Sequence, residues 1–456
     1  MNHADKQILD LIGIGIGPFN LGLASLLAPI DTVKAKFFDA KDEFVWHEGL
    51  LLEDCHLQVP FLADLVTMTD PTSPYSYLNY LCAHGRLYQF YFYETFQIPR
   101  TEYSRYCHWV AQQLSSVEFS QEVIDVVEMD TLFCVTVRHT RTGDETRHFT
   151  RNVVLGVGTT PNVPQSLVGY INGQDFVHSA QYSFTKNTLQ QKQSITVIGG
   201  GQSAAECFLD LLRDQKHYGY ELNWLTRSSG FFPMEYSKLG LEHFSPDYIE
   251  HFFGLSDRTR QTILATQGNW YKGISFSTIR EIYDCLYIRS VEQPGKVTIQ
   301  ARSELQCAKQ SDQGWKLDFR HLELKQPFTL QTQAVVLGSG YQYAFPRCLN
   351  GIRHLVDFDD NQRQIVKRDY TLQTHLAGSG HIFVQNGEMH THGISAPDLG
   401  LGSYRNATII NTLLGKQHYP TPIKTVFQSF GIAPQWQNTS TPTPERSSYL
   451  VDVQHE

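Results

Sequence analysis

The chain has 456 residues, 41% of them hydrophobic and 18% charged, with a formal net charge of −9. At roughly 150 residues per domain, this length predicts about three modules, or two with insertions. The composition excludes a disordered, collagenous or coiled-coil chain, and the acidic balance weighs against nucleic acid as a partner. No run approaches about 18 consecutive apolar residues, so no membrane-spanning helix is expected. The start, Met1-Asn2-His3-Ala4-Asp5-Lys6, lacks a basic region followed by an apolar one, which predicts no signal peptide. Eight cysteines stand without any C-x-x-C pair, which predicts reduced thiols in a cytoplasmic protein rather than disulfides or zinc.

The first predicted unit is a strand at Ile8-Leu9-Asp10-Leu11-Ile12, a glycine-rich turn at Gly13-Ile14-Gly15-Ile16-Gly17-Pro18, and a helix from Phe19. A second strand, Val33 to Phe38, ends in Asp39, 26 residues after Gly13. The pattern recurs as the strand Ser194-Ile195-Thr196-Val197-Ile198, then Gly199-Gly200-Gly201-Gln202-Ser203-Ala204, then a strand from Glu221 that ends in Arg227-Ser228-Ser229. One G-x-G-x-x-G/A is a weak signal. Two of them, each between a strand and a helix, predict two dinucleotide-binding modules. Residues 236–290 read as helical, and residues 296–330 alternate apolar and polar as a β-meander does. Ala334-Val335-Val336-Leu337 then forms a buried strand that ends in the glycine turn Gly338-Ser339-Gly340-Tyr341. From about residue 433 a tail rich in Pro, Ser, Thr and Gln predicts a poorly ordered extension.

In the first loop, Gly13 is expected to make the tight turn and Gly15 to let the backbone approach a pyrophosphate. Gly17-Pro18 opens a helix whose amide-rich end favours anions. Asp39 suits a ribose with free hydroxyls and would repel a 2′-phosphate, so FAD or NAD fits there and NADPH does not. In the second loop Gly199, Gly201 and Ala204 repeat the geometry, with Gln202 and Ser203 opening the helix. There the second strand ends in Arg227, a surface charge or the cation that a 2′-phosphate needs. The pair predicts FAD first and NADPH second: a flavin-dependent oxidoreductase. A disulfide reductase would need a cysteine pair beside the flavin, which the spacing does not offer. A monooxygenase needs no redox side chain, because the chemistry belongs to the flavin.

Residues 8–415 resemble the microbial N-hydroxylating flavoprotein monooxygenases of hydroxamate siderophore biosynthesis, which act on lysine, ornithine or diamines. The resemblance lies in Gly13 to Leu21, Trp46-His47, Leu57-Gln58, Phe61-Leu62-Ala63-Asp64-Leu65 and Asp70-Pro71-Thr72-Ser73-Pro74-Tyr75. It continues in Gly199 to Ala204, Leu337 to Tyr341, and Thr391-His392-Gly393-Ile394. It implies an α/β fold of two Rossmann-like domains with a small, partly helical substrate region. The FAD-binding domain is expected at 1–170 and 345–456, the inserted NADPH-binding domain at 185–340, and the helical substrate segment at 236–290, at their junction. It also implies that NADPH reduces FAD, that O₂ adds to give a C4a-hydroperoxyflavin, and that a neutral primary amine takes up the distal oxygen. Trp46, His47 and Gln58 are expected to line the flavin ring, and Gly340, Tyr341 and His392 to lie in the cofactor site. Tyr77, Tyr80 and Phe90 are expected in the core. No catalytic side chain and no metal is expected, although His390 and His392 have ligand chemistry.

The family's amino-acid hydroxylases carry Phe-Leu-Lys-Asp-Leu, whose Lys is associated with the substrate carboxylate. Here Ala63 stands in its place, which removes a charged bond of about 1.5–3 kcal/mol, on the order of 10–100-fold in binding. A polar family residue near Glu242-His243-Phe244 is Leu241, and another maps to Lys272 or Gly273, onto which no role is carried. Together these departures imply a substrate without a carboxylate: an α,ω-diamine, putrescine ahead of cadaverine, with lysine or ornithine as the alternative. The distal ammonium needs an acid, for which Glu242, Glu388 and Asp398 are candidates. Asp398 is favoured because it lies just beyond Thr391-His392-Gly393; its other reading is a helix N-terminal acid. Partners are then the diamine and O₂, in a homo-oligomer without nucleic acid. A non-hydroxylating, NADPH-oxidising flavoprotein is the reading from another class, and measured hydroxylamine separates the two.

Overall fold

Two sheets, one mixed and one parallel, each built around one glycine loop, organise the computed structural model, which describes residues 8–292 and 296–436. In the first sheet Ile8–Ile14 lies between Ala35–Phe38 and Glu145–Leu155, parallel to both. The long strand Glu145–Leu155 serves two sets of neighbours. Its first half pairs antiparallel with Leu132–His139, and its end pairs parallel with Ile382–Val384. Leu11, Ile12, Phe37, Val153, Val154 and Phe383 are fully buried, as parallel strands covered on both faces require. The helix Gly402–Leu414 returns late in the chain to pack on Pro18–Leu27, where the Asn406 amide donates to the Phe19 carbonyl at 3.0 Å.

The second sheet is wholly parallel, in the order Val297–Gln300, Glu221–Leu225, Ser194–Ile198, Ala334–Leu337, Phe176–His178. One face is covered by the helix Gln202–Tyr218 through Ala204, Ala205, Phe208, Leu211 and Leu212. The other meets a three-stranded antiparallel sheet through Trp315, Leu317 and Phe319.

Three expectations change. The meander expected over 296–330 begins only at Ser303–Ser311, because Val297–Gln300 is the edge strand of the parallel sheet. The second module begins near 162 rather than 185, since Leu167 and Phe176 are buried in its core. The expected helical segment 236–290 also divides. Phe276–Glu292 packs on Gln202–Tyr218 and belongs to the second module. The shorter helices from Pro246–Phe253 to Gly268–Tyr271 instead gather around Tyr248, Phe252 and Ile394.

The two passages of chain between modules run side by side: Thr160–Pro161 pairs antiparallel with Tyr341–Gln342. Asn162 N–H donates to the Gly340 carbonyl at 2.9 Å. The tail beyond 436 lies outside the described residues. Among those described, no helix is long and apolar enough to cross a membrane.

Candidate functional site

Each glycine loop is pressed against a second glycine turn. The strands that end in Val153-Val154-Leu155-Gly156-Val157-Gly158 and Val335-Val336-Leu337-Gly338-Ser339-Gly340 repeat one pattern. Gly15 has φ +83, and a Cβ there would lie 2.7 Å from the Gly156 carbonyl oxygen. Gly199 has φ +145, and its Cβ would lie 2.2 Å from the Gly338 carbonyl oxygen. Only glycine combines that φ with so close an approach. Gly17 and Gly201 are the N-caps of the two helices and place no side chain over the first amides. Both helix ends therefore present open N–H groups to an anion.

Gly13 does not make the expected turn. It lies inside Ile8–Ile14, where a Cβ would sit 2.0 Å from the Phe37 ring. The matched positions are Gly15 with Gly199, Gly17 with Gly201, and Asn20 with Ala204.

Between the sheets runs one cleft of about 1970 Å³. An ordinary ligand pocket holds about 300–1,000 Å³, so there is room for two dinucleotides and a small amine. Gly15, Gly17, Pro18 and Asp39 line it from the first module; Gly199, Gly201, Gln202, Ser203 and Arg227 line it from the second. Asp39 is anchored to its own loop, accepting from Ile16 N–H at 2.7 Å and Lys41 N–H at 2.9 Å. Arg227 and Ser228 are exposed on the opposite wall. A glycine cradle with open helix ends, next to an acid on one side and an arginine on the other, fits the two dinucleotides expected.

Trp46, His47, Gln58, Gly340 and Tyr341 meet where the two halves of the cleft join. His47 is left-handed at φ 51. Burial, then the charges of Arg100 and Lys41, holds its imidazole down to about 4, so the ring is neutral at neutral pH. Its ring centroid lies 4.6 Å from Trp46 and 6.1 Å from Tyr341. Gln58 donates to the Ser275 hydroxyl at 3.2 Å, and its carbonyl accepts from the Tyr236 hydroxyl at 3.1 Å.

Beyond this junction Asp64, buried, accepts from the N–H groups of Val66, Thr67 and Tyr77. These bonds hold the turn that presents Ala63 to the cleft. A Cβ on Gly400 would lie 2.9 Å from Asp398 Oδ1 and 3.7 Å from Ala63 Cβ, so the carboxylate and the methyl flank one spot. Burial pushes Asp398 up to about 6, against the amides of Gly400 and Leu401 and the charge of Arg405. Leu241, Lys272 and Gly273 also line the cleft.

The other acids and His392 are placed elsewhere. Glu242 turns away and accepts from the N–H groups of Phe427 and Gln428. Glu388 is fully buried and paired with Arg405 at 3.1 Å. His392 stands behind the cleft wall, stacked on Tyr370 with centroids 4.4 Å apart and bonded to the Arg368 carbonyl. Tyr77 and Tyr80 are buried in the first module's core, with Phe90 packed against them. Sequence reasoning missed Gly156 and Gly158, although the repeated V-V-L-G-x-G points to them. It also missed Tyr236 and Arg100, which line the cleft and carry no local motif.

The chain matches, over residues 7–343, the family described as L-lysine 6-monooxygenase/L-ornithine 5-monooxygenase. It belongs to that family. The putrescine N-hydroxylase of Shewanella oneidensis is 46% identical over 428 residues, 93% of this chain and 85% of that protein. The putrescine N-hydroxylase of Acinetobacter baumannii is 42% identical, over 96% of each chain. Among solved structures, the FAD-bound cadaverine monooxygenase DfoA of Erwinia amylovora matches with a TM-score of 0.90 at 40% identity, covering 94% of this chain and 99% of that one.

Proposed function

We propose that this protein uses FAD and NADPH to N-hydroxylate one amine of an aliphatic diamine, putrescine ahead of cadaverine. It thereby supplies hydroxylamine for hydroxamate siderophore synthesis. The observation that carries the reading is the Asp398 carboxylate beside Ala63 on the cleft wall, where an amino-acid hydroxylase would present a lysine. The relatives named above, which act on putrescine or cadaverine, support it.

Bound FAD, once reduced by NADPH, supplies the activation of O₂. The chain itself binds, orients and excludes water. The amides around Gly15 and Gly17 hold the FAD pyrophosphate and Asp39 its ribose; those around Gly199 and Gly201 hold NADPH, with Arg227 on the 2′-phosphate. Asp398 takes the distal ammonium. The reacting amine, with a free pKa of about 10.4, sits at the other end of the diamine, away from Asp398 and Ala63. Desolvation there favours the neutral form that reacts.

A reducing, cytoplasmic setting agrees with eight free cysteines. A homo-oligomer agrees with the exposed Tyr88, Tyr91 and Phe92 on one helix and Tyr283, Tyr287 and Val291 on another.

The test measures hydroxylamine formed per NADPH oxidised with putrescine, cadaverine, ornithine and lysine. Diamines should couple well and amino acids poorly. Asp398→Asn should lower kcat/KM for diamines about 10–100-fold, the value of one charged bond. Below about pH 6 Asp398 is protonated and no longer pairs with ammonium. The limb of falling kcat/KM centred there should therefore vanish in the Asn variant. Lysine or ornithine used at least as efficiently as either diamine overturns the reading.

A further inference from the structure

A circuit of polar side chains, buried at Arg100 and Glu206 and half-buried beyond them, links the two modules and the segment that leads into Phe276–Glu292. Arg100, the first residue of the helix Arg100–Ala111 in the first module, is buried at 8% exposure. Its guanidinium forks onto Glu206 of the second module's helix, with Nη1 to Oε2 at 3.0 Å and Nη2 to Oε1 at 2.6 Å. Nη1 also donates to the Leu50 carbonyl at 3.1 Å. Glu206, 4% exposed, accepts in addition from Gln202 Nε2 at 2.8 Å. Gln202 Oε1 accepts from Ser275 N–H at 2.7 Å. A backbone N–H can only donate, so the oxygen of the Gln202 amide must face Ser275 and its nitrogen Glu206. The Ser275 hydroxyl then accepts from Gln58, which closes the circuit in the first module.

A buried ion pair gives little net stability compared with apolar residues of the same size. A bidentate arginine–carboxylate pair nevertheless fixes orientation, because two parallel bonds define a plane. Two modules joined by a modest interface otherwise move against each other. Gln202 stands in the first turn after the second glycine loop, and Gln58 stands on the cleft wall of the first module. The circuit therefore ties the second loop to the first module across the cleft.

We propose that Arg100, Glu206 and Gln202 are positioning residues that set the distance and angle at which a hydride passes from NADPH to FAD. That transfer oxidises the one and reduces the other by two electrons. The inference rests on the cofactor assignment above.

The test compares the flavin-loaded wild type with Arg100→Met/Glu206→Leu, which removes both charges and leaves none unpaired, and with Gln202→Leu, which cuts the circuit at its centre. Flavin bleaching by NADPH is followed anaerobically, NADP⁺ affinity by titration, and amide exchange over 272–279 by mass spectrometry without NADPH. Both variants should retain flavin. Their bleaching should slow about 10–100-fold, the cost of roughly 1 Å of misplacement. NADP⁺ affinity in the double variant should change less than threefold, and exchange near Ser275 should quicken in both. Gln202→Leu keeps the test open if the double variant fails to fold. Bleaching within twofold of wild type in either folded variant, or unchanged exchange at Ser275, overturns the proposal. A wild type whose flavin NADPH does not bleach would instead defeat the cofactor assignment.

Discussion

In the first glycine unit the turn at Gly156 meets the Asn20 amide, which donates to the carbonyls of Ile14 at 3.3 Å and Gly15 at 2.8 Å and accepts from Gln385 at 2.6 Å. In the second, the turn at Gly338 meets Ala204, whose methyl lies 2.7 Å from where the glycine's Cβ would be, and the Trp224 indole N–H donates to the Gly199 carbonyl at 2.8 Å. The acid that follows the first unit's second strand spends both oxygens on the loop and its neighbour, while the arginine in the second stands exposed. One backbone design therefore carries a buried amide network in one copy, and a small methyl with a single indole bond to the loop in the other. Buried amide hydrogen bonds rigidify what they join. The first unit suits a group that stays, the second a ligand that arrives and leaves.

The largest expected effect breaks the comparison at its shared position. Gly15→Val puts a branched side chain at φ +83 against the Gly156 carbonyl, and should yield protein without flavin absorbance. Gly199→Val meets the same obstacle at Gly338, yet should purify yellow and resist bleaching by NADPH. A full flavin complement in the first variant, or a colourless second one, would contradict the assignment of the loops. Next in size, Arg227→Ala should reduce kcat/KM for NADPH about 10–100-fold, by loss of one charged bond, and leave NADH unchanged. Equal losses with both cofactors would remove Arg227 from the 2′-phosphate.

The smallest effect is spectroscopic. His47 of the first module and His178 of the second both stand edge-on to Tyr341. Burial holds each down to about 4. Both rings should stay neutral through pH 6 in an NMR titration, although a free imidazole titrates near 6.5. A midpoint near 6.5 for either ring would show that it is open to water.

Both glycine loops were legible because glycines between an apolar run and a helix have few other uses. The register of the first was not. Glycines at 13, 15 and 17 fit two alignments, and the choice falls to the Phe37 ring lying over Gly13. The strand Phe176–His178 is three residues long, and its partner Ala334–Leu337 is distant in the chain, so no local period marks it. Ala63 was legible through resemblance and charge. Which acid faces it was not, because sequence does not say which way a side chain turns. Glu388 turns inward to Arg405 and Glu242 outward to the loop at 427, whereas Asp398 faces the cleft. Arg100 and Glu206 are far apart in sequence, and their pairing exists only once the modules are docked.

The chain leaves the first module at Thr160–Pro161 and re-enters it at Tyr341–Gln342, and these two short strands are hydrogen-bonded to each other. Entry and exit are thus neighbours, as at sites where one domain has been inserted into a loop of another. Residues 162–340 form a cassette whose two chain connections lie at one place, while the Arg100–Glu206 pair and the helices around Tyr248 dock it elsewhere. A lineage can exchange or retune it, and with it the choice of electron donor, without breaking a strand of the module around it.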